Sequence, residues 1–325
     1  MAFVSALRRI VPFLAAFAAL AVLCEAALRF GLGLGDPILI APDAACGYIV
    51  KPDQSAMRFF SRIHINRYGM RSEEVAAVRR PDALRLLFVG DSITYGTARV
   101  DQSRIFTEIL HRDLPAIVHR PVEVLNASAN AWAPDNELSY IRSRGIFQSD
   151  IVFLVLNDGD VTQPRSTLAD VGDDLPQRRP ATAIGELFTR YLRPRIFHSA
   201  AHRDAGDSIV ANANSTIRAN LADLDSIEKL AIGAGARFSI VYAPFRRDVP
   251  KQSANAQSIL RAWANAHRVP LLDMTSVELP YSSGEITMDG LHFNARGHWI
   301  VAQAIERAWP TVAGNPDLSA ANRPQ

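Results

Sequence analysis

The feature that most constrains the fold is a pair of apolar runs that each stop at a polar loop. Residues 84–89 read Leu-Arg-Leu-Leu-Phe-Val and lead into Gly90-Asp91-Ser92, and the wholly apolar residues 151–156 lead into Asn157-Asp158-Gly159-Asp160. Such runs are typical of strands in a parallel sheet with helices on both faces. In open sheets of this kind, ligands bind beyond the carboxyl ends of the strands. The sequence therefore predicts an α/β fold with polar groups gathered at one sheet edge.

The rest of the chain alternates between strand and helix patterns. The additional predicted elements are strands at 122–125, 237–243 and 269–272, and helices that contain 105–110 or cover 217–232, 254–267 and 299–308. Strands that alternate with helices imply a doubly wound parallel sheet, flanked by helices and joined by right-handed crossovers. No internal repeat interrupts this order.

Ser92, at the predicted end of a strand, is a candidate nucleophile. Asp289-Gly290-Leu291-His292 places an Asp and a His three residues apart, so that they can act as a unit. A serine hydroxyl is a weak nucleophile until a base takes its proton. His292 is the candidate base, and Asp289 would fix its tautomer and stabilise the imidazolium. The alternative is that Ser92 caps a helix or turn and that Asp289 and His292 belong to a surface loop, with residues 294–297 forming a turn before the last helix.

Two further loops suit an oxyanion hole. Residues 126–132 follow the predicted strand 122–125, and Asn157 opens the loop after residues 151–156. An Asn side chain and backbone N–H groups are the usual donors to a developing oxyanion, so Asn157 is the candidate side-chain donor. The alternative is that Asn157-Asp158-Gly159 forms only a turn.

Four blocks of the sequence resemble, in order, the blocks of the SGNH (GDSL-type) hydrolases. They are LFVGDSITYG, LNASANAW, LVLNDGD and DGLHFNARGH, and the resemblance covers residues 82–309. It implies a flavodoxin-like SGNH hydrolase fold. It also implies that Ser92, Asp289 and His292 form a catalytic triad.

The resemblance further implies an oxyanion hole made by the N–H groups of Ser92 and Ala131 and by the Asn157 side chain. The chain departs from the family at two places. Ala131 stands where the family normally has glycine, and Val155-Leu156 occupies a stretch where the third block usually has one. An alanine N–H can serve in an oxyanion hole only if its φ angle is negative or if the strain of a positive φ is tolerated.

The resemblance to membrane-anchored envelope members of the family also implies an activity. The chain is expected to be a serine esterase that hydrolyses acyl esters, with O-acetyl groups on cell-surface glycans as the implied substrate and with no cofactor. An O-acyltransferase would use the same triad, with a sugar hydroxyl in place of water. A non-catalytic glycan-binding or assembly protein with a degenerate pocket is the alternative from another class.

Composition narrows the range of partners. The chain has 35 basic and 33 acidic residues. It has no basic stripe with interleaved aromatic residues, so no nucleic-acid partner is predicted. His198 and His202 have the i, i+4 spacing of metal ligands, but no acidic third ligand accompanies them, and no metal site is predicted. Cys24 and Cys46 do not predict a disulfide.

The N-terminus predicts a location. Arg8-Arg9 precede residues 10–28, an apolar run of 19 residues whose only charge is Glu25. A span of roughly 20 apolar residues can cross a bilayer, and basic residues before it favour an N-terminus that stays inside. The prediction is a single-pass signal-anchor in the inner (cytoplasmic) membrane, with the catalytic domain on the exported, periplasmic side. A cleaved signal peptide is the alternative.

These predictions divide the chain into successive segments. They are a cytoplasmic N-terminus (1–9), a transmembrane helix (10–28), a linker-like extension (29–81), an SGNH hydrolase-like domain (82–312) and a tail (313–325). Within the extension, residues 63–71 predict a strand followed by a turn. Within the domain, residues 162–214 interrupt the strand–helix alternation and are a candidate lid or substrate-binding loop, or else a mobile surface insertion.

Overall fold

The computed structural model describes residues 2–171, 175–193, 205–245 and 250–313. Helix α1 (Ala2–Ala26) continues into a π-helical turn, Ala27–Gly31. Residues Val11–Gly31 form one span with a mean hydropathy of 2.2, long and apolar enough to cross a membrane near the N-terminus. Length and composition fit both an anchor and a signal sequence.

The segment predicted as a linker-like extension is instead part of the folded unit. It contains two antiparallel hairpins, one of β1 (Ile40–Asp43) and β2 (Gly47–Val50), the other of β3 (Gln54–Arg58) and β4 (Ser61–Ile65). Their inward-facing side chains are buried in the same apolar cluster as the central sheet, for example Tyr48, Ile63 and Ile65. The predicted strand in 63–71 therefore belongs to β4, which ends at Ile65.

A five-stranded parallel sheet forms the centre of the molecule and confirms the doubly wound fold. Its strands are β5 (Leu84–Gly90), β6 (Val122–Ser128), β7 (Ile151–Leu156), β8 (Arg237–Tyr242) and β9 (Leu271–Asp273). The order across the sheet is β6-β5-β7-β8-β9, the flavodoxin-like order. Strand β6 extends past the predicted end at residue 125, so Asn126 lies in the sheet, where its side-chain amide donates to the Thr94 carbonyl at 2.7 Å.

The described part of the chain has further helices after α1. They are α2 (Ser92–Tyr95), α3 (Phe106–Val118), α4 (Pro134–Arg144), α5 (Leu168–Val171), α6 (Ala183–Glu186), α7 (Ala205–Gly233), α8 (Pro250–His267), α9 (Thr275–Glu278), α10 (Ser283–Ile286), α11 (Ala295–Arg307) and α12 (Trp309–Val312). Alternate residues of β5 enter two separate cores. Leu87 and Val89 pack with α4, α7 and α8, whereas Leu86 and Phe88 pack with α3 and α11.

The predicted turn at residues 294–297 is wrong. Helix α11 begins at Ala295, and the Asn294 side chain caps it by accepting the N–H groups of Arg296 (2.9 Å) and Gly297 (3.1 Å). Position 297 lies inside the helix and is glycine for a packing reason, because a Cβ there would come within 2.1 Å of the Ile286 carbonyl oxygen. The glycine thus permits close packing between α10 and α11.

The insertion at residues 162–214 packs against the hairpins in its described part. The Ile40 N–H donates to the Pro176 carbonyl at 3.0 Å. Arg58 of β3 and Glu186 of α6 form a buried ion pair at 2.5 Å. Helix α6 continues as a π-helix, Leu187–Leu192. His198 and His202 lie outside the described residues.

One buried histidine makes the stability of the fold pH-dependent. His298 of α11 lies between the rings of Phe106 and Phe293, and its Nδ1 accepts the Phe106 N–H at 3.3 Å. Burial, with the nearby Arg71 cation, lowers the pKa of His298 from 6.5 to about 3. The folded state therefore keeps this ring neutral at pH values where the unfolded chain protonates it, and stability falls as the pH drops from 6.5 towards 3.

We expect His298→Gln to weaken this pH dependence, because a glutamine carbonyl can accept the Phe106 N–H without titrating. Below pH 6.5, the free energy of unfolding should fall more steeply in the native chain than in the variant, by up to about 1.4 kcal/mol per pH unit. Urea unfolding of both chains in detergent between pH 7 and 5 measures the difference. Parallel curves would contradict this role for His298.

Candidate active site

Strand β5 delivers Ser92 to the carboxyl edge of the sheet. The strand ends at Gly90, and the chain turns at Asp91 into the single-turn helix α2. A Cβ at Gly90 would lie 2.2 Å from the Thr94 hydroxyl and 2.9 Å from the Val155 carbonyl oxygen. Only glycine allows this close approach, which places Ser92 at the start of α2 beside the end of β7.

The structure brings the three predicted triad residues into one hydrogen-bonded chain. His292 Nε2 lies 3.0 Å from Ser92 Oγ, and His292 Nδ1 lies 2.7 Å from Asp289 Oδ2. The second oxygen of Asp289 accepts the N–H groups of Leu291 (3.0 Å) and His292 (2.9 Å). These bonds fix the carboxylate against its own loop. An Nδ1–H donated to Asp289 leaves Nε2 as the nitrogen that can accept a proton from Ser92.

Asp289 remains ionised at neutral pH. Partial burial raises the pKa of its carboxyl group, but hydrogen bonds from the ring and the backbone N–H of His292 outweigh burial and hold the pKa below its usual range. A carboxylate in this state can hold the imidazole ring in place and stabilise its protonated form.

Asp91 is a site residue that the sequence analysis did not single out. Its buried carboxylate accepts the Ile93 N–H at 2.8 Å and the Asn157 side-chain amide at 2.9 Å. Burial is the main cause that raises the pKa of this group. Asp91 therefore links the Ser92 turn to the loop after β7. The preference for Asp at helix N-caps is the sequence signal that could have identified it.

The Asn157 side chain has a fixed orientation. Its Oδ1 accepts the Gly159 N–H at 2.7 Å, and its backbone N–H donates to Asp160 at 2.7 Å. The segment is thus a turn, as the alternative prediction proposed, but one that directs the amide nitrogen towards Asp91 beside Ser92. Nδ2 carries two hydrogens, and Asp91 takes one. Within the described residues, nothing in the chain accepts the other.

Ala131 has a left-handed backbone, with φ at +62°. Its loop is held by three hydrogen bonds, from Gln163 Nε2 to the Ala131 carbonyl (2.8 Å), from the Tyr48 hydroxyl to the Asn130 carbonyl (2.7 Å) and from the Trp132 N–H to the Ala129 carbonyl (3.2 Å). The chain therefore tolerates the strain, which is on the order of 1 kcal/mol for alanine. In the described part of the chain, the Ala131 N–H has no hydrogen-bond acceptor.

A buried arginine fixes the loop that follows α2. The Arg71 guanidinium donates to the carbonyl oxygens of Tyr95 (2.8 Å), Thr97 (2.6 Å) and Val100 (2.6 Å), and to the Gln102 side chain (3.2 Å). Burial lowers the pKa of this group. The extension that was predicted to be a linker thus supplies a cation that shapes the chain beyond Ser92.

A cavity of about 80 Å³ lies between the hairpins and the insertion. Its lining includes Tyr95, the last residue of α2, and Asn130, which precedes Ala131. Leu175, Pro176 and Tyr191 contribute the insertion's side of the wall. The insertion therefore borders space next to the two segments that carry Ser92 and Ala131. Its role as a lid or substrate-binding loop stays a prediction.

A parallel sheet that presents a Ser–His–Asp chain at its carboxyl edge is an arrangement that recurs among serine hydrolases. No family model matches the chain, and no curated protein matches it. Similar solved structures include TesA, with 16% identity, a TM-score of 0.46 and coverage of 70% of this chain and 98% of that one. Another is LAE5, an alpha/beta hydrolase enzyme from the metagenome of Lake Arreo, Spain. It shares 16% identity at a TM-score of 0.45, over 70% of this chain and 96% of that one.

A third similar structure is a member of the lipolytic protein G-D-S-L family from Veillonella parvula. It shares 13% identity at a TM-score of 0.43, over 70% of this chain and 98% of that one. At the level of sequence blocks and side-chain geometry, the chain resembles the SGNH (GDSL-type) hydrolases.

We expect Ala131→Gly to raise the free energy of unfolding by about 1 kcal/mol, because glycine adopts a positive φ without steric cost. Ala133→Gly is the matched control, since Ala133 has a φ of −112° and glycine there only adds chain entropy to the unfolded state. The control should be destabilised. Chemical denaturation of the two variants tests the backbone strain directly. An equal decrease in the free energy of unfolding of both variants would contradict it.

Proposed function

We propose that this chain is a serine esterase that hydrolyses acyl esters. The observation that carries the proposal is the hydrogen-bonded chain from Asp289 through His292 to Ser92, with donor–acceptor distances of 2.7 and 3.0 Å. Such a series of hydrogen bonds has a specific chemical use, because it activates a hydroxyl that is otherwise a weak nucleophile.

In the acylation half of the reaction, Ser92 Oγ attacks the ester carbonyl carbon as its proton moves to His292 Nε2. A tetrahedral oxyanion forms and then collapses. The bond to the leaving alcohol breaks, and that oxygen takes the proton from His292. The acyl group is now an ester of Ser92, and Asp289 has held the imidazolium throughout.

In the deacylation half, His292 takes a proton from water, and the hydroxide that forms attacks the acyl-serine. The second tetrahedral intermediate collapses, Ser92 Oγ leaves and recovers its proton from His292, and the carboxylic acid departs. A sugar hydroxyl in the place of water would make the same site an acyltransferase. Product analysis with and without a sugar acceptor separates the two outcomes.

Three donors are proposed for the oxyanion: the N–H groups of Ser92 and Ala131 and the second Nδ2 hydrogen of Asn157. Two observations support this set. Neither the Ala131 N–H nor that amide hydrogen has an acceptor within the described residues, and Asp91 and Gly159 together hold the Asn157 amide in one orientation. Preorganised donors of this kind are usually the largest single contribution to acyl-transfer catalysis.

We propose O-acetyl groups on cell-surface glycans as the substrate and the periplasmic side of the inner membrane as the location. The substrate proposal follows from the resemblance to envelope-anchored family members. The location follows from the apolar span Val11–Gly31 and from Arg8-Arg9 before it, which favours an inside N-terminus.

We expect Ser92→Ala to lower kcat for p-nitrophenyl acetate by roughly 10⁴- to 10⁶-fold, because the triad acts as a unit. The variant should keep its thermal unfolding midpoint, since among the described residues the Ser92 side chain hydrogen-bonds to His292 alone. Ser103→Ala is the matched control, because Ser103 is an exposed serine in the separate 3₁₀ helix Gln102–Arg104, and this variant should keep full activity. Unchanged turnover in Ser92→Ala would refute the catalytic assignment.

Asp289→Asn separates an enzyme from a binding protein. The asparagine Oδ1 can still accept the N–H groups of Leu291 and His292, so the loop should fold. The amide can no longer fix the productive imidazole tautomer, and we expect kcat to fall by up to about 10⁴-fold. Acetate release and affinity for an acetylated oligosaccharide are measured together. Retained affinity in every variant, with no hydrolysis by the parent chain, would favour a non-catalytic binding protein.

A further inference from the structure

The end of the apolar N-terminal helix is bonded into the folded domain. The Glu25 carboxylate accepts the N–H groups of Ala183 (2.8 Å) and Ile184 (3.0 Å), at the start of α6. The Phe59 N–H donates to the Leu32 carbonyl at 2.9 Å, which joins the tip of the β3–β4 hairpin to the residue after the span. The span, the hairpin tip and α6 therefore meet at one place.

These three segments carry unusually exposed apolar side chains. Phe30 is 85% exposed and Phe60 is 79% exposed. Beyond the exposed apolar side chains of the span itself, Met57 on β3 is exposed, as are Ile184, Phe188 and Leu192 on α6 and its π-helical continuation. Exposed apolar side chains that cluster in this way mark an interaction surface. We name these six residues the apolar collar.

The hairpin tip is strained as well as apolar. Phe59 and Phe60 both have positive φ angles, +49° and +63°, in a two-residue turn that normally takes Asn-Gly. Phe59 has a packing reason to be there, since its ring contacts Tyr191 edge-on at 5.8 Å and lies under the Arg99 cation at 5.5 Å. Phe60 combines a strained backbone with an apolar ring that is exposed to water, so both its conformation and its environment are unfavourable. Strain that persists at an exposed site indicates function.

We propose that the apolar collar inserts into the bilayer interface and docks the domain on the membrane that the N-terminal helix spans, with Phe60 as its main contact. This inference rests on the proposed anchor. The Phe59–Leu32 hydrogen bond keeps the hairpin tip at the end of the span, and that end lies at the bilayer surface. Aromatic side chains accompanied by arginine are typical of that interface. Lipid is therefore favoured over a protein partner or a second copy of the chain.

The test uses the full chain in vesicles of phosphatidylethanolamine and phosphatidylglycerol. Cys24 and Cys46 are replaced by alanine, and single cysteines at Phe60→Cys or Val78→Cys carry a nitrobenzoxadiazole label. Val78 is the matched control, because it is 67% exposed and lies before the amino end of β5, outside the apolar collar. Phospholipids with nitroxide groups on their acyl chains should quench the label at residue 60 several-fold more strongly than the label at residue 78.

A second variant guards against a labelling artefact. Phe60→Gly relieves the positive φ and removes the ring, so it should fold at least as stably as the parent. A label at Met57→Cys should nevertheless lose most of its quenching in the Phe60→Gly chain, and Phe60→Leu should restore part of it.

Three outcomes would overturn the proposal. Equal quenching at residues 60 and 78 in a membrane-bound chain excludes docking but leaves the anchor and the esterase activity intact. Blue-shifted emission at residue 60 without quenching by nitroxide lipids means that protein covers the tip. A chain that alkaline extraction releases from the membrane has no anchor, and its esterase activity can still be measured separately.

Discussion

The site depends on the hydrogen bond between Ser92 and His292, two residues that are 200 positions apart in the chain. Neither side chain can provide this geometry alone. Strand β5 fixes Ser92 at the carboxyl edge of the sheet, and helix α11 fixes the loop that carries His292. Helix α11 is in turn locked to α3 by the Phe106 N–H donated to His298. A loss of packing on this face of the sheet would therefore separate His292 from Ser92 before it exposed the sheet.

Buried polar groups set the shape of the site, while the apolar cores determine where it lies. Asp91 joins the turn at Ser92 to the amide of Asn157, and Arg71 joins the loop after α2 to the N-terminal hairpins. Each group is costly to bury and has several hydrogen-bond partners, which makes its position specific. The hairpins, which precede the sheet in the chain, are for this reason part of the site's framework.

The sequence predicted the elements whose pattern is local. Residues 84–89 and 151–156 are continuous apolar runs, so their burial in a parallel sheet was evident, and the spacing of Asp289 and His292 indicated a pair. The hairpins were missed because prolines and charged residues mask their short strands, and Tyr48 is buried by partners far away in sequence. Gly297 was interpreted as a turn residue because its actual role, close contact with the Ile286 carbonyl, depends on tertiary packing. The Asp91–Asn157 contact was likewise invisible, since it spans 66 positions.

The Arg71 guanidinium also has a consequence for dynamics. To open the loop from Tyr95 to Val100, the chain must release three carbonyl oxygens from a buried cation at once. Opening would leave that buried cation with fewer acceptors than it needs, which is more costly than the loss of ordinary loop hydrogen bonds. The amide hydrogens of Tyr95 and Gly96, which bond back to Asp91 and Ser92, should therefore exchange with solvent only when the domain unfolds as a whole. Ser92 would then lie in one of the most slowly exchanging turns of the protein.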